Sequence, residues 1–253
     1  MKVSQTVDLM KIGTDTISLQ EALSYLKQSG QFGQFVSTVL REYIIEREIQ
    51  ILEFCPSQTQ IEQFLLDFRI QNRIIDSQTF EQWLFQNQLT YEQFRERAIK
   101  GLNFQKLREQ VVQGKVEAFF AENSRLFDRL VLSRLVVESP NLSQKMGELL
   151  QQDPQQFKAL VGEYSIAEDR VLDGRMGVFP RQELPPQLKS ELDGKSPGDI
   201  VGPIVVDGLS CFFKIDEILE AKLNDALRQE IENRLFEEWL RGKMQGSNIQ
   251  MLV

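Results

Sequence analysis

The chain has 253 residues, of which 42% are hydrophobic and 26% are charged, and its formal net charge is -8. This composition is typical of a globular protein, and the length allows one large domain or two modest ones. The acidic balance argues against nucleic-acid binding, which needs clustered lysine and arginine. The sequence contains no histidine, so any function must do without the commonest metal ligand and general base.

Other whole-chain features narrow the choice further. No apolar run approaches the ~20 residues that span a bilayer, so we expect no membrane insertion. The first residues lack the apolar core of a signal peptide, which predicts a cytoplasmic protein. Cys55 and Cys211 leave one disulfide possible, but two reduced thiols are the preferred interpretation. We expect no metal and no cofactor, because histidine is missing and no phosphate- or dinucleotide-binding glycine motif occurs.

The first ~125 residues are predicted to be helical, because apolar residues recur at a spacing of about 3.6. Trp83, Phe85 and Phe94 in this half either belong to a core or line a groove for a client polypeptide. Candidate helix starts carry side chains that cap a first turn: Ser18, Ser57 or Thr59, Ser77, and Thr90 with Gln93 as a capping box.

The sequence pattern changes near residue 130, where the helical spacing of apolar residues ends. Residues 130–137 are apolar and β-branched and predict a strand. Two helical segments and a turn-rich stretch follow. Residues 200–206 and 211–215 predict two more strands, and Asp207–Gly208 between them is a strong hairpin signal. The helical period returns over residues 223–244, and we expect this last helix to pack on the N-terminal ones.

Several sequence blocks of the second half occur in a recognisable order. They are YS at 164–165, DGRMGVF at 173–179, RQELP at 181–185, SPGDIVGP at 196–203 and CFFKI at 211–215. Together they resemble the parvulin (rotamase, PpiC-type) domain of bacterial peptidyl-prolyl cis-trans isomerases. Residues 80–110 and 116–123 resemble the helical chaperone module that precedes this domain in SurA- and PrsA-type foldases. The segment from Leu223 is similar to the helix that completes the module.

The resemblance implies an α+β fold. A parvulin-like domain, a small antiparallel sheet flanked by helices, would interrupt a mainly helical module similar to the N-terminal part of SurA. The helical module would span residues 1–126 and be completed by the C-terminal helix in 219–253. The parvulin-like domain would span 127–218.

The resemblance also implies site residues. The family's histidine on the first strand falls at Arg134, and its histidine on the last strand falls at Cys211. The family's cysteine or aspartate falls near Glu168 or Asp169. Arg134, Cys211 and Asp169 are therefore the candidates for the catalytic network. The positions that would grip a proline ring are apolar: Met176, Phe179, Leu184 and Leu188.

Each of these residues also has a purely structural interpretation. Cys211 is compatible with a small core residue on a buried strand. Arg134 either pairs with an acidic residue of the following loop or contacts a bound peptide. In an unrelated protein the apolar pocket positions would simply be core. The acidic partners available to Arg134 are Glu168, Asp169 and Asp173.

Two functions from different classes follow from the resemblance. The first is an isomerase-chaperone, in which the helical module holds an unfolded or precursor polypeptide while the parvulin-like domain turns its X-Pro bonds. The second is a binding-only relative, which keeps the fold as a peptide-docking surface after both histidines were replaced. A third possibility is an adaptor for a peptide export or maturation system, with an exporter as partner.

Overall fold

The computed structural model describes residues 7–251. Their contacts separate into two units, each described here by itself. The helical unit contains the residues up to Gln113 and those from Glu232 onward, and the sheet unit is Gly114–Ile231. The border between Ile231 and Glu232 falls inside the last helix. These units group residues by their contacts, whereas the predicted domains, 1–126 with 219–253 and 127–218, were drawn from sequence patterns. The two sets of ranges therefore do not test one another. The predicted domain borders stay predictions.

The elements have the following bounds. The helices are α1 (Leu19–Gln28), α2 (Phe32–Leu52), α3 (Gln58–Gln71), α4 (Ser77–Gln86), α5 (Tyr91–Val112), α6 (Val116–Asn123), α7 (Pro140–Gln152), α8 (Phe157–Tyr164), α9 (Pro186–Glu191) and α10 (Asp225–Gln245). The strands are β1 (Asp8–Ile12), β2 (Asp15–Ser18), β3 (Arg129–Val137), β4 (Arg175–Pro180), β5 (Ile200–Val206) and β6 (Leu209–Leu219).

The helical unit is built around two clusters of buried side chains. In the first, Ile44 of α2 and Leu107 of α5 pack with Phe236 and Leu240 of α10. This contact confirms the prediction that the last helix returns to the N-terminal helices. The second cluster joins α3, α4 and α5, and it contains Phe94 and the partly buried Trp83. Phe85 is instead 85% exposed, so of the three aromatic candidates it alone offers a largely free side chain.

Most predicted helix starts are confirmed by their hydrogen bonds. Ser18, Ser57 and Thr90 each accept the amide N–H of the third helical residue, and each helix closes a capping box. These bonds satisfy amides that would otherwise lack a partner at a helix start. The cap of α4 is Asp76 rather than Ser77, because Asp76 keeps the extended backbone of a cap while Ser77 is already helical.

The prediction that the whole first half is helical is wrong at its beginning. β1 and β2 pair as an antiparallel hairpin, with Ile12 opposite Asp15. Neither strand has a buried residue. A strand without a buried face shows no clear alternation of apolar and polar residues, so the sequence carries little signal for it.

The sheet unit contains a four-stranded sheet in the order β4-β3-β6-β5, with antiparallel pairing throughout. The predicted hairpin is confirmed between β5 and β6. Asp207 and Gly208 both have positive φ, 51° and 81°, as a two-residue turn of type I′ requires. β4 lies in the stretch that was expected to be only turn-rich, and it pairs with β3 at the edge of the sheet.

Both faces of this sheet are covered, and the predicted α+β fold is confirmed. On one face α7 and α8 pack side chains such as Met146, Phe157 and Val161 against Leu135. The opposite face, which we name the α9 face, packs against Leu188 of α9 and its neighbours Leu184 and Leu192. Its cluster contains Leu130, Leu132, Val136, Leu184, Leu188, Leu192, Val201, Ile204, Cys211, Phe213 and Ile215, with Met176 and Phe179 packed against it.

Candidate functional site

The residues implied by the parvulin resemblance meet on the α9 face. Met176, Phe179, Leu184, Leu188 and Cys211 all belong to its apolar cluster or pack against it. Arg134 alternates along β3 with Leu132 and Val136 of the same cluster, and successive side chains of a strand point to opposite faces. Its side chain therefore leaves the sheet on the α9 face.

Arg134 forms an ion pair with Asp169. Its Nε lies 2.6 Å from Oδ2 of the carboxylate, and the two side chains are 36% and 15% exposed. The geometry selects Asp169 from the three acidic residues that the sequence offered. Glu168 is exposed, and Asp173 pairs instead with Lys158 at 2.7 Å. The predicted pairing of Arg134 with an acidic residue is thus present, and the catalytic role of the pair stays a prediction.

The loop that carries Asp169 is fixed by backbone hydrogen bonds to β3. The amide of Arg134 donates to Gly174 O at 2.8 Å, and the amide of Gly174 donates to Asp169 O at 2.9 Å. Gly174 has φ +79°, and a Cβ there would lie 2.3 Å from Arg134 O. Only glycine permits this approach of two backbone segments. The ion pair therefore depends on Gly174 as much as on its two charged members.

Ser165 is a positioning residue that the sequence interpretation missed. It is buried, and its Oγ accepts the amide N–H groups of Val136 and Ala167 at 3.3 and 3.4 Å. The amide of Ile166 in turn donates to Val136 O. These bonds attach the start of the Asp169 loop to the central strand. The YS block of the resemblance contained Ser165, but a serine after an apolar helix does not by itself indicate two backbone contacts.

Cys211 lies opposite Val136 in the β3–β6 ladder and is only 5% exposed. Burial raises the pKa of its thiol; the charge of Arg134 lowers that pKa and Asp207 raises it, both to a smaller extent. The thiol is therefore neutral at pH 7, where it is a weak hydrogen-bond donor and no nucleophile. The structure places Cys211 where it serves both as core and as the inner edge of the site. Both cysteines of the chain are free.

The four predicted pocket residues separate into two pairs. Leu184 and Leu188 are 8% and 6% exposed and lie within the core of the α9 face. Met176 and Phe179 on β4 are only partly buried, so part of each side chain is open to a ligand. The open apolar surface is therefore that of β4, and the two leucines support it from behind. Whether any of the four grips a proline ring stays a prediction.

Asp169 also offers an unused acceptor. Its Oδ1 is buried, and none of the groups in residues 7–251 donates a hydrogen bond to it. Buried acceptors normally have a donor, because leaving one without a partner costs about 1–3 kcal/mol. This oxygen is closed off from solvent, so a peptide N–H reaches it only if the Asp169 loop moves. As folded, the site combines an apolar surface with a cation and a weak thiol donor.

These groups suit a reaction that breaks no covalent bond. Turning an X-Pro bond requires rotation over a barrier of ~18–20 kcal/mol, and nothing has to be attacked. A site contributes by holding the proline in an apolar pocket and by binding the twisted amide better than the planar one. Arg134 can donate to a peptide carbonyl through the terminal nitrogens of its guanidinium, since Nε is the atom bound to Asp169.

Comparison with solved structures identifies the architecture. The crystal structure of the peptidylprolyl isomerase PrsA from Bacillus cereus superposes with a TM-score of 0.55 at 14% identity, covering 99% of this chain and 95% of that one. The chain has the fold of PrsA. The predicted resemblance to PrsA- and SurA-type foldases is thereby confirmed for the fold.

Two further matches superpose less closely. PrsA from Bacillus subtilis gives a TM-score of 0.36 at 16% identity, covering 97% of this chain and 94% of that one. A SurA-like chaperone structure from Campylobacter jejuni gives 0.34 at 15% identity, covering 97% and 100%. Neither similarity carries an argument here. No sequence model of a known family and no curated protein sequence matches the chain.

None of the helices in residues 7–251 combines the length and the apolar composition needed to cross a bilayer.

Proposed function

We propose that this protein binds unfolded or precursor polypeptides that contain proline, and that its parvulin-like sheet unit turns X-Pro bonds only weakly. The observation that carries the proposal is the α9 face. There the partly open Met176 and Phe179 belong to the same surface as the Arg134–Asp169 pair. This arrangement provides an apolar contact for a proline ring next to polar groups for the flanking backbone.

The shared fold supports the substrate class. The B. cereus protein is named a peptidylprolyl isomerase, whose substrate is a polypeptide containing an X-Pro bond. Weak turnover follows from the two replaced histidines. Arg134 is engaged by Asp169, and Cys211 is buried and neutral. These groups can bind a peptide, but they are poorly suited to bind the twisted amide of the transition state better than the planar amide.

The helical unit is proposed to hold the remainder of the client. Phe85 is its most exposed aromatic residue, and exposed apolar groups are sites of interaction with other chains. An exporter is not part of the proposal, because neither the fold nor the comparisons support one. The cytoplasmic location stays a prediction of the sequence.

Peptide binding can be tested by fluorescence anisotropy with a labelled unfolded peptide that contains an Ala-Pro bond. Phe179→Ala should raise the Kd about tenfold, the effect of losing ~1.4 kcal/mol of contact energy. Phe54→Ala is the matched control, because Phe54 is also half-buried but belongs to the helical unit. Thermal melting of both variants separates loss of contact from loss of fold.

Two outcomes would overturn the proposed binding mode. Absence of any saturable binding by the wild type contradicts polypeptide binding. Wild-type affinity in Phe179→Ala and Met176→Ala, with a loss in Phe85→Ala, assigns binding to the helical unit and removes the sheet unit from it. A variant of Asp169 to Asn keeps the shape of the side chain and should weaken binding as well, because it loses the charge that holds Arg134.

Turnover can be tested with a protease-coupled assay on Ala-Pro and Glu-Pro peptides. The wild type should stay close to the uncatalysed rate. The double variant Arg134→His/Cys211→His restores the residue types of the family and should raise kcat/KM about tenfold or more, equivalent to ~1.4 kcal/mol of transition-state stabilisation. Arg134→Ala/Cys211→Ala is the matched control and should gain nothing. A wild-type kcat/KM of about 10⁴ M⁻¹s⁻¹ or higher, the ordinary enzyme range, would refute weak turnover.

A further inference from the structure

Arg181 is a buried cation that no acidic side chain neutralises directly. It begins the short turn Arg181–Glu183 that follows β4, and it is 7% exposed. The other buried polar residues of 7–251 are Asp128 and three serines, so Arg181 is the one buried cation in this part of the chain. Within the same residues it forms no ion pair with a carboxylate. Taking a guanidinium out of water costs free energy, which a bound anion can offset.

The hydrogen bonds of Arg181 use little of its capacity as a donor. A guanidinium carries several N–H groups. Within residues 7–251 this one makes a single side-chain hydrogen bond, from Nη1 to Leu192 O, and at 3.5 Å it is long. Nε has no partner and is closed off from solvent. Nη2 makes no hydrogen bond to these residues either, but it is not closed off. The terminal nitrogens are therefore the ones that a ligand can reach.

Arg181 lines a polar pocket of about 400 Å³ in the sheet unit. The rest of the wall comes from residues 124–128 before β3, residues 193–196 after α9 and residues 218–221 at the end of β6. The residues of the candidate site on the α9 face do not line it. Sites for small ligands commonly enclose about 300–1,000 Å³, so the pocket has the size of a binding site.

Asp128 is the second buried charge of this pocket. It is 7% exposed, and its Oδ1 accepts the amide N–H of Ala221 at 3.0 Å. Its Oδ2 accepts no hydrogen bond from residues 7–251 and is not closed off from solvent. The amide of Arg181 donates to Asp128 O at 2.9 Å, yet the two side chains form no ion pair. The pocket thus presents a cation and a carboxylate at separate positions.

The exposed charges of the pocket balance one another. Arg125 and Lys195 are basic, Asp193 and Glu220 are acidic, and all four are exposed. The wall therefore has no large excess of one sign, and a phosphate would bring a second negative charge against Asp128. A ligand with one carboxylate and an adjacent N–H fits better. The guanidinium fork binds a carboxylate through parallel hydrogen bonds, and a carboxylate oxygen accepts the N–H.

We propose that this pocket, which we name the Arg181 pocket, binds an α-carboxylate whose neighbouring nitrogen carries hydrogen. This group occurs at the C-terminus of a polypeptide and in a free amino acid. Its carboxylate accepts hydrogen bonds from the terminal nitrogens of Arg181, and its nitrogen donates to Oδ2 of Asp128. Neither contact uses the α9 face, so this inference does not rest on the proposed binding and turning of X-Pro bonds.

The test is fluorescence anisotropy on the full chain with a labelled, proline-free peptide of glycine, serine and alanine that ends in a free carboxylate. Binding should saturate. The same peptide with a C-terminal amide should bind at least about tenfold more weakly, because it lacks the charge that pairs with Arg181. Equal affinities of the acid and the amide overturn the proposal. Displacement by inorganic phosphate at a lower concentration than by N-acetylalanine also overturns it, because the pocket then binds anions in general.

Variants of Arg181 assign the effect to the pocket. Arg181→Gln should abolish the preference for the acid over the amide, and Arg181→Lys, which keeps the charge without the fork, should retain part of it. Arg170→Gln is the matched control, because Arg170 also donates to a backbone carbonyl, Ser165 O, at 3.5 Å but is exposed and outside the pocket. A full preference in Arg181→Gln overturns the proposal. If that variant does not fold, as thermal melting would show, the acid and amide peptides on the wild type still decide the question.

Competition distinguishes the two sources of the ligand. Displacement by N-acetylalanine but not by alanine supports binding of chain ends. Displacement by alanine at a similar or lower concentration supports binding of free amino acids, whose ammonium group is the stronger donor to Asp128. Asp128→Asn keeps an acceptor for the Ala221 amide and should weaken alanine binding at least about tenfold, because the ammonium loses its counter-charge. Absence of saturable binding of the acid peptide, together with absence of a calorimetric signal for alanine, overturns the proposal.

Discussion

The central strand β3 and residues 7–43, which we name the N-terminal segment, differ in where their stability comes from. In β3 every residue from Leu130 to Val137 is buried except Arg134, which is half-buried. In residues 7–43 none is buried. β3 has a core on each face of its sheet, so tertiary packing holds it in place. The segment has hydrogen bonds, caps and partly buried side chains, of which Leu40 packs against the core of the helical unit.

This difference indicates which part of the fold can hold side chains in fixed positions. The candidate site of the sheet unit is rigid, because the strands that hold Arg134 and Cys211 are fixed from both sides. A region with few buried side chains opens more easily than one with a core on each face. The predictions below test this contrast, starting with the largest effect.

The first prediction compares the same substitution in the two regions. Met146 of α7 is fully buried, and Met146→Ala should lower the free energy of unfolding by about 2–5 kcal/mol, because it removes buried surface and leaves a cavity. Met10 of β1 is about half exposed. Met10→Ala should cost less than about 0.5 kcal/mol, as surface substitutions do.

Urea denaturation of the two variants and the wild type gives both values. Equal costs for the two substitutions would mean that Met10 is packed as tightly as Met146. That result would end the contrast between the two regions.

The second prediction concerns the loop that presents Asp169. Ser165→Ala removes the Oγ that accepts the amides of Val136 and Ala167. It should cost about 1–3 kcal/mol of stability, because the buried amide of Val136 and the partly buried amide of Ala167 lose their partner. It should also weaken peptide binding, since the position of Asp169 depends on this loop. Ser139→Ala is the control, because Ser139 makes no side-chain bond at the start of α7.

Hydrogen exchange of Ile166 and Gly174 would show the loosened loop directly. If peptide affinity is unchanged while those amides exchange faster, the Asp169 loop has no part in binding, and the site must be confined to β4. This outcome would divide the α9 face into a functional part and a structural part.

A feature of this architecture could be predicted when neighbouring residues in the sequence determine it. The caps at Ser18 and Thr90 and the Asp207–Gly208 turn are determined by neighbouring residues, and the sequence predicted them. The strands β1 and β2 were missed because no side chain on them is buried. Their pairing is visible only in the backbone.

The same rule applies to the candidate site. The positions of Arg134 and Cys211 on two strands followed from the order of sequence blocks. The choice of Asp169 as the partner of Arg134 did not, because the hydrogen bonds of Gly174 and Ser165 decide how the loop turns. The burial of Leu184 and Leu188 likewise depends on how α9 lies on the sheet. Sequence therefore supplies the candidates, and tertiary contacts select among them.

The third prediction uses the thiol of Cys211 as a probe of the site. Burial raises its pKa and the Arg134 charge lowers it, so Arg134→Ala should raise the pKa further. Alkylation of Cys211 in a Cys55→Ser background should therefore need a higher pH in that variant. Mass spectrometry across pH 7–10, which spans the ordinary thiol value of about 8.5, measures the shift.

The sign of the stability effect follows from the same shift. A raised folded-state pKa means that the neutral thiol is favoured by folding. Its contribution is complete below the unfolded-state value of about 8.5 and is lost as the pH rises through the folded-state value. If Arg134→Ala leaves the alkylation profile unchanged, the guanidinium does not act on the thiol, and the polar network of the α9 face is reduced to the Arg134–Asp169 pair.

The smallest expected effect lies where the N-terminal segment meets the core of its own unit. Arg41 is near the end of the N-terminal segment and donates two hydrogen bonds, of 2.8 and 2.7 Å, to Glu237 of α10. The hydrogen bond from Arg41 lowers the pKa of Glu237, with a smaller contribution from its charge. Both side chains are more than a third exposed. A double-mutant cycle with Arg41→Gln and Glu237→Gln should therefore give only about 0.2–1 kcal/mol of coupling.

The pH dependence distinguishes a real tether from an incidental contact. Because the folded-state pKa of Glu237 is lowered, the coupling should be complete above the ordinary glutamate value of about 4.3 and disappear as the pH falls through the lower folded-state value. The exposed pair of Lys106 and Glu109, joined at 3.4 Å, serves as the control and should show almost no coupling. If the Arg41–Glu237 coupling is also near zero at pH 7, the apolar packing of Leu40 and of the adjoining Ile44 and Ile45 attaches the segment to its unit.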